Sequence, residues 1–402
     1  MEKNSNLKYT AIKLSLVAVI PLLLLIPLSM IKEVIEDREY AKENVAQDVA
    51  DSYADAQIIY APLLKSSIAD LSSKTCEIKA ECTKLDYKAE VETSHLNRSV
   101  YKVIVYNAKV KICGSFCVTD EVMHTSQNKF MIDLTDFKGL SDLPQLTFGG
   151  KNYNLIKEDG VLQAKVELPK DAKVGEVINF EVNMDVKGTE SLMFHPRAEE
   201  TTLSISSTYP HPSFQGAFLP ECREVRADGF NASWRVLDVN IIGGENKIGV
   251  KFVDPANPYQ QAMRSAKYGV LIIVLVFVAG LFVEFLTRKE INIIQYAVIG
   301  LSLVLFYSLL LAFSEFITFW LAYVIAALMT TGALVFYFRA ILKSCSAYVL
   351  GGFVALVYLL NYMLLQMETY ALLAGSLLLF LLLCIVMYLT ANINNKELFK
   401  TE

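Results

Sequence analysis

Two hydrophobic patterns divide this chain. Residues 14–31 read LSLVAVIPLLLLIPLSMI, an 18-residue run without a charge. Largely apolar runs return at 268–286, 294–313, 317–338, 347–365 and 370–390. At a rise of about 1.5 Å per residue, runs of this length cross, or nearly cross, a hydrocarbon core of about 30 Å. They predict six membrane helices, one near the start and five packed as a bundle by short links. Pro21 and Pro27 are tolerated inside a lipid-embedded helix. A cleaved signal peptide is the rival reading of the first run, with Lys3, Lys8 and Lys13 ahead of it. Signal cores are usually about 7–15 residues and end at a small-x-small site. This run is longer and exits as Leu28-Ser29-Met30-Ile31-Lys32, so we read an uncleaved anchor.

Residues 32–266 carry different periods. Ala41, Val45, Val49 and Tyr53 recur every four residues, with Glu36, Asp37, Glu39, Lys42 and Glu43 on the other face. That predicts a helix over 32–56, either a stalk continuing the first span or an amphipathic helix packed on the domain. Beyond it the pattern predicts strands at 101–106 and 110–112, 161–168, 177–186 and 202–206. Gly149-Gly150 between 145–148 and 151–155 predicts a hairpin, and Gly243-Gly244 between 238–242 and 248–252 a second one. The fold expected is an α+β membrane protein. It has a large β-rich, sandwich-like extracytoplasmic domain between the first and second of six transmembrane helices. The expected domains are the anchor at 1–31, the outer domain at 32–266 with its stalk helix at 32–56, a five-helix bundle at 267–392 and a tail at 393–402.

Composition and charge then set the orientation. Of 402 residues, 53% are hydrophobic and 20% charged, with mean hydropathy +0.37. This excludes a simple soluble enzyme and a disordered chain. The net charge of −5 and the lack of a basic stripe exclude a nucleic-acid binder. Lys3, Lys8, Lys13, Arg288, Lys289, Arg339, Lys343, Lys396 and Lys400 flank the runs on one side; the two opposite loops carry only Glu315 and Glu368. Basic residues stay on the cytoplasmic side. Both termini are therefore expected inside and residues 32–266 outside, in the periplasm of a bacterial inner membrane. Residues 32–266 hold 27 Lys/Arg and 35 Asp/Glu, a net of −8. Such a domain is not drawn to anionic lipid.

The candidate chemistry is sparse. Of seven cysteines, the close pairs Cys76 with Cys82 and Cys113 with Cys117 are candidate disulfides in an oxidising compartment, leaving Cys222 free. Their spacing is not that of a standard zinc site. The sequence has no G-x-S-x-G elbow, no P-loop and no paired-histidine motif. No cofactor or metal is implied. In Tyr209-Pro210-His211-Pro212-Ser213-Phe214 the two prolines hold His211 stiffly. A nucleophile built from His211, Ser213 or Cys222 has no carboxylate placed to orient it. Glu284 and Asn361 are the polar outliers of the apolar runs. They are candidates for an intramembrane site, and Glu284 also suits an ion pair with Arg288 four residues on.

Tyr209-Pro210-His211-Pro212-Ser213-Phe214-Gln215-Gly216-Ala217-Phe218-Leu219-Pro220 resembles the W-P-H-P-S-F-x-G-x-F-L-P signature of the CreD family. Arg223-Glu224-Val225, Gly229-Phe230 and Ala232-Ser233-Trp234 are similar to the R-E-V, G-F and W that come after that signature. Also similar to the family are Lys267-Tyr268, Phe282-Val283-Glu284, Leu286-Thr287, Gln295-Tyr296, the Gly300–Tyr307 run and Ser314-Glu315. The likeness covers about residues 200–395, and Tyr209 departs from the pattern's Trp. The resemblance implies a bacterial inner-membrane protein of the cell envelope. Its relatives respond to envelope and β-lactam stress, without an established biochemical activity. The expected function is therefore non-enzymatic: envelope integrity and stress response through the periplasmic domain. The expected partners are the lipid bilayer and envelope proteins or peptidoglycan-linked components. Tyr209, His211, Ser213, Phe214, Phe218, Arg223 and Trp234 form the candidate functional surface. The alternatives are a carrier or flippase using Glu284 and Asn361, and a hydrolase using His211, Ser213 or Cys222.

Overall fold

The computed structural model describes residues 15–17, 19–69, 75–123, 127–169, 172–241, 243, 246–254, 257–287, 291–343 and 345–367, with positions 373, 375–377, 380, 384 and 387. The chain divides into two compact units, Lys42–Pro255 and Met1–Ala41 with Ala256–Glu402.

The first long helix, α1 (Leu25–Ser52), is the later part of a helical stretch Ser15–Ser52. There follow β1 (Gln57–Ile59), β2 (Leu63–Ala69), β3 (Thr75–Ala80), β4 (Cys82–Arg98), β5 (Tyr101–Cys117), the one-turn helix α2 (Asp120–Met123) and β6 (Gln127–Ile132). Next come β7 (Gln145–Phe148), β8 (Lys151–Asn154), β9 (Ile156–Glu158), β10 (Val161–Val166), β11 (Val177–Thr189) and β12 (Ser191–Phe194). The last strands are β13 (Ala198–Ser207), β14 (Pro212–Gly216), β15 (Cys222–Arg226), β16 (Gly229–Leu237) and β17 (Ile248–Phe252).

Among the described residues these strands form three sheets. Their orders are β1-β12-β17-β14, β3-β2-β6-β10-β9 and β15-β16-β13-β4-β5-β11-β7-β8. The eight-stranded sheet is built on alternation. Leu85, Tyr87, Ala89 and Val91 of β4 are buried, while Lys84, Asp86, Lys88 and Glu90 point the other way. One core joins the sheets, with Phe116, Phe130, Phe148 and Phe180 at ring separations of 5.1–6.5 Å. Near Val103 and Val105 the second face of β5 is covered as well, by Val45, Val49 and Tyr53 of α1 and its end. The Tyr53 hydroxyl donates to Asn107 Oδ1 at 2.9 Å. The helix end is thus packed on the β-rich unit, in a helix that also runs on from the first apolar run, and it stops at Ser52.

The β7–β8 hairpin is present with its two-glycine turn, both glycines at positive φ. The second hairpin is not. Asp238–Asn240 is a turn of 3-10 helix, and β17 pairs with β12 and β14 in another sheet. The partners of β16 are β13 and β15. β16 instead forms its hairpin with the preceding β15 and pairs β13 on its other edge, which leaves β17 to fill the gap between β12 and β14. The alternation of β4, at 17 residues among the longest strands, is clear in the sequence yet is not among the strands predicted from it.

The helical unit continues with α3 (Pro258–Lys267), α4 (Gly269–Thr287), α5 (Ile293–Ser314), α6 (Phe319–Leu342) and α7 (Ser346–Gln366). Among the described residues four helices are long and apolar enough to cross a membrane: Ser15–Ser52, α5, α6 and α7. There are up to five if α3 and α4, bent by 42° at their junction, make one span. The expected span at 370–390 lies outside the described residues, save scattered positions. So do Lys3, Lys8, Lys13, Arg288, Lys289, Lys396 and Lys400. Asn292 and Gln295 close a capping box at the start of α5. Polar ties also bind the first part of α1 into this unit. Arg38 lies 3.7 Å from Glu315, Asn257 Nδ2 donates to Glu39 at 3.2 Å, and the Tyr259 hydroxyl donates to Glu315 at 3.4 Å. Residues up to Ala41 group with the helices, and so does α3, which lies at the edge of the expected outer domain.

Candidate functional site

The Tyr209–Pro220 segment ties the four-stranded sheet to the eight-stranded one. Its start is pinned by Tyr209, whose hydroxyl donates to the Val253 carbonyl at 2.8 Å and whose ring meets Phe252 edge-on at 5.7 Å. Burial, with Asp254 nearby, pushes the Tyr209 phenol above its ordinary value. Ser213 of β14 pairs with Lys251 of β17, and Phe214 beside it turns inward. The Phe214 ring stands edge-on to Phe230 at 5.7 Å and Trp234 at 5.8 Å, both on β16. Trp234 is buried and its Nε1 donates to the Phe218 carbonyl at 3.2 Å. Four of the seven candidate surface residues, Tyr209, Phe214, Phe218 and Trp234, therefore work as packing between sheets.

The segment exposes His211, Gln215, Gly216, Ala217 and Leu219, and Arg223 just after it is exposed as well. Leu219 is 71% exposed, a large apolar side chain that the sequence alone shows only as one letter of a motif. Its signal was available: Leu219 and Pro220 come after an inward aromatic and lie between strands. His211 touches Tyr209 with ring centroids 6.0 Å apart. Among the described residues no hydrogen bond joins the side chains of His211, Ser213 and Cys222, and no carboxylate orients the His211 imidazole. Cys222 is exposed on β15, an edge strand of the eight-stranded sheet.

The cysteine expectation is corrected. Cys113 and Cys117 carry free thiols on the same extended strand, β5. At about 3.3 Å per residue their Cα atoms are about 13 Å apart, beyond the ~7 Å limit for a disulfide. The two are held there by register, Cys113 opposite Glu181 and Cys117 opposite Val177. Cys82 is also free. It is buried, and its Sγ donates to the Pro62 carbonyl at 3.3 Å. Burial first, and Glu81 second, push its thiol far above the ordinary value. This leaves no bond from Cys82 to Cys76; the Cys76 backbone lies on β3 and its side chain is outside the described set.

In the helical unit, Asn361 of α7 is buried, and its Nδ2 donates to Ser265 Oγ at 3.1 Å and to the Tyr323 hydroxyl at 3.0 Å. Tyr323 donates in turn to the Tyr358 carbonyl at 2.8 Å. Ser265 and Tyr323 are not marked out by sequence, because nothing local says that α3, α6 and α7 meet. Glu284 of α4 accepts from the Tyr296 hydroxyl of α5 at 3.0 Å. Its expected partner Arg288 lies outside the described residues. The structure does not bring Glu284 and Asn361 together through any hydrogen bond among the described residues.

A β-rich unit inserted after the first apolar helix, with further apolar helices after it, defines a multi-pass membrane protein. The chain matches the family model "Inner membrane protein CreD" over residues 9–396, and it belongs to that family. It is similar to inner membrane protein CreD of Escherichia coli (strain K12), 29% identical over 412 residues, covering 93% of this chain and 91% of that protein. The protein is accordingly a multi-pass protein of the inner membrane.

Proposed function

We propose that this protein is a non-enzymatic component of the cell envelope that supports envelope integrity under stress, including β-lactam stress, by contact through its β-rich unit. One observation carries this reading. The unit is folded around a core of its own, while among the described residues His211, Ser213 and Cys222 share no hydrogen bond and the signature aromatics are spent on packing. The surface offered to partners is His211, Leu219 and Arg223, suited to an envelope protein or a peptidoglycan-linked component. In this reading six helices span the bilayer, both termini are cytoplasmic and the sandwich-like residues 32–266 are periplasmic. The nine basic residues flanking the apolar runs support that orientation.

The test is a split complementation in a strain lacking the protein and sensitive to envelope stress. Residues 32–266 are tethered outside by the first span alone. Restored resistance, lost again in Leu219→Asp with Arg223→Glu, is the expected result. Failure of a folded, abundant fragment would move the function to the helices and overturn the proposal.

A further inference from the structure

We propose that the helical unit binds ordered water in its interior, one molecule or a short chain, between the hydroxyls of Tyr307 and Tyr358 and the side-chain carbonyl of Asn361. All three groups are buried, at 1%, 2% and 3% exposure, and all three lack a hydrogen-bond partner among the described residues. They lie in one neighbourhood. The Phe306 ring is flanked by the rings of Tyr307 at 5.0 Å, Tyr323 at 5.3 Å and Tyr358 at 4.3 Å, and Tyr323 carries the bond to Asn361.

The hydrogen-bond accounting names the occupant. Tyr323 spends its single proton on the Tyr358 carbonyl, so toward Asn361 it can only accept. That fixes the amide of Asn361 with Nδ2 toward Tyr323, and Nδ2 gives its second proton to Ser265. The Asn361 Oδ1 is left needing a donor, and two tyrosine hydroxyls are left needing an acceptor. A water molecule donates and accepts at once, and buried waters typically make about 3 hydrogen bonds of this kind. A protonless anion would supply no donor for Oδ1, and a cation would meet no charge. An apolar occupant would leave all three groups unpaired, at several kcal/mol each in a bilayer interior.

Position gives water a short route in. Tyr323 is four residues into α6, and Asn361 is five before the end of α7. At about 1.5 Å per residue both lie about 6–8 Å from the same end of their helices, the end where α5 gives way to α6. Ser265 reaches the cluster from α3, which precedes the 42° bend into α4. Water there needs to pass only one or two helical turns.

The experiment uses the full chain in lipid nanodiscs. X-ray hydroxyl-radical footprinting oxidises side chains beside bound water even when bulk solvent is excluded. Tyr307 and Tyr358 should be modified at least about tenfold faster than Tyr106, equally buried but bonded directly to the Ser191 carbonyl. Protection of both tyrosines at the Tyr106 level would overturn the proposal. Tyr307→Phe and Tyr358→Phe give an independent reading. If each hydroxyl binds water, each variant melts about 2–4 °C lower, and the double variant loses less than the sum. If the hydroxyls are unpaired, removing them is neutral or raises the melting temperature, which also overturns it.

Discussion

The indole Nε1 of Trp234 donates to the backbone carbonyl of Phe218 across 3.2 Å, so a residue of β16 holds the segment that leaves β14. These two strands belong to different sheets. The family signature is thus a structural joint with a small exposed rim. Changes to its inward and outward residues should have different consequences.

Trp234→Ala should destabilise the protein by about 3–5 kcal/mol, the range for emptying a large aromatic site. Trp234→Phe should cost about 1 kcal/mol from the lost bond, with a smaller cavity term. Leu219→Asp should leave stability nearly unchanged, since the side chain is exposed. Thermal unfolding followed by circular dichroism separates the three, and a Leu219→Asp loss as large as that of Trp234→Ala would refute the division.

Gly216 sits at φ 116°, a backbone region that side chains rarely adopt. A Cβ there would collide with the Lys247 carbonyl oxygen, which receives the Ala217 N–H at 2.8 Å. Gly216→Ala should therefore destabilise by about 2 kcal/mol or more and loosen β14 from β17. Faster amide exchange at residues 213–216, relative to β7–β8, is the expected readout.

Thiol chemistry tests the cysteine correction. In the native protein the exposed Cys222 should react with a maleimide far faster than Cys82, whose thiolate is disfavoured by burial and by Glu81. Mass spectrometry without reduction should find no Cys113–Cys117 bond. Detection of that bond in folded protein would mean that β5 is broken between them.

Two carboxylates should give opposite slopes of stability against pH. Hydrogen bonds from Lys111 at 2.8 Å and Asn183 at 2.9 Å hold Glu181 below the usual carboxylate range. Its contribution is full above the unfolded value and is lost as pH falls through the lowered folded value. Glu181→Gln should lower the melting temperature slightly at about pH 7 and not below about pH 3. Burial raises Asp133 instead, against the Leu134 N–H and Lys157. Its folded form holds the proton more tightly, so its contribution favours the fold at acid pH and fades as pH rises through the raised value. Asp133→Asn should raise the melting temperature at about pH 7 and do little at acid pH. A melting series across pH on the two variants checks both signs.

Much of the fold was legible because it is local. Membrane helices need unbroken apolar length, a hairpin needs its glycine turn, and an amphipathic helix needs a four-residue period. Residues 293–366, Gly149-Gly150 and the Val45 and Val49 positions carry those signals on their face. The pairing of β17 was not legible, since a strand does not encode which distant edge completes its ladder. Neither was the joining of Ser265, Tyr323 and Asn361, in which Asn361 stands 96 residues from Ser265 and 38 from Tyr323.

The sequence by itself determined the class of element at each point, the apolar helices and the family signature, since these depend on composition and short periods. Only the tertiary structure decided what the signature's side chains are for. Tyr209, Phe214 and Trp234 face inward because two sheets meet over them, leaving His211, Leu219 and Arg223 to the surface. It also decided that Cys113 and Cys117 stay apart, because four residues of extended strand separate them by more than a disulfide can reach.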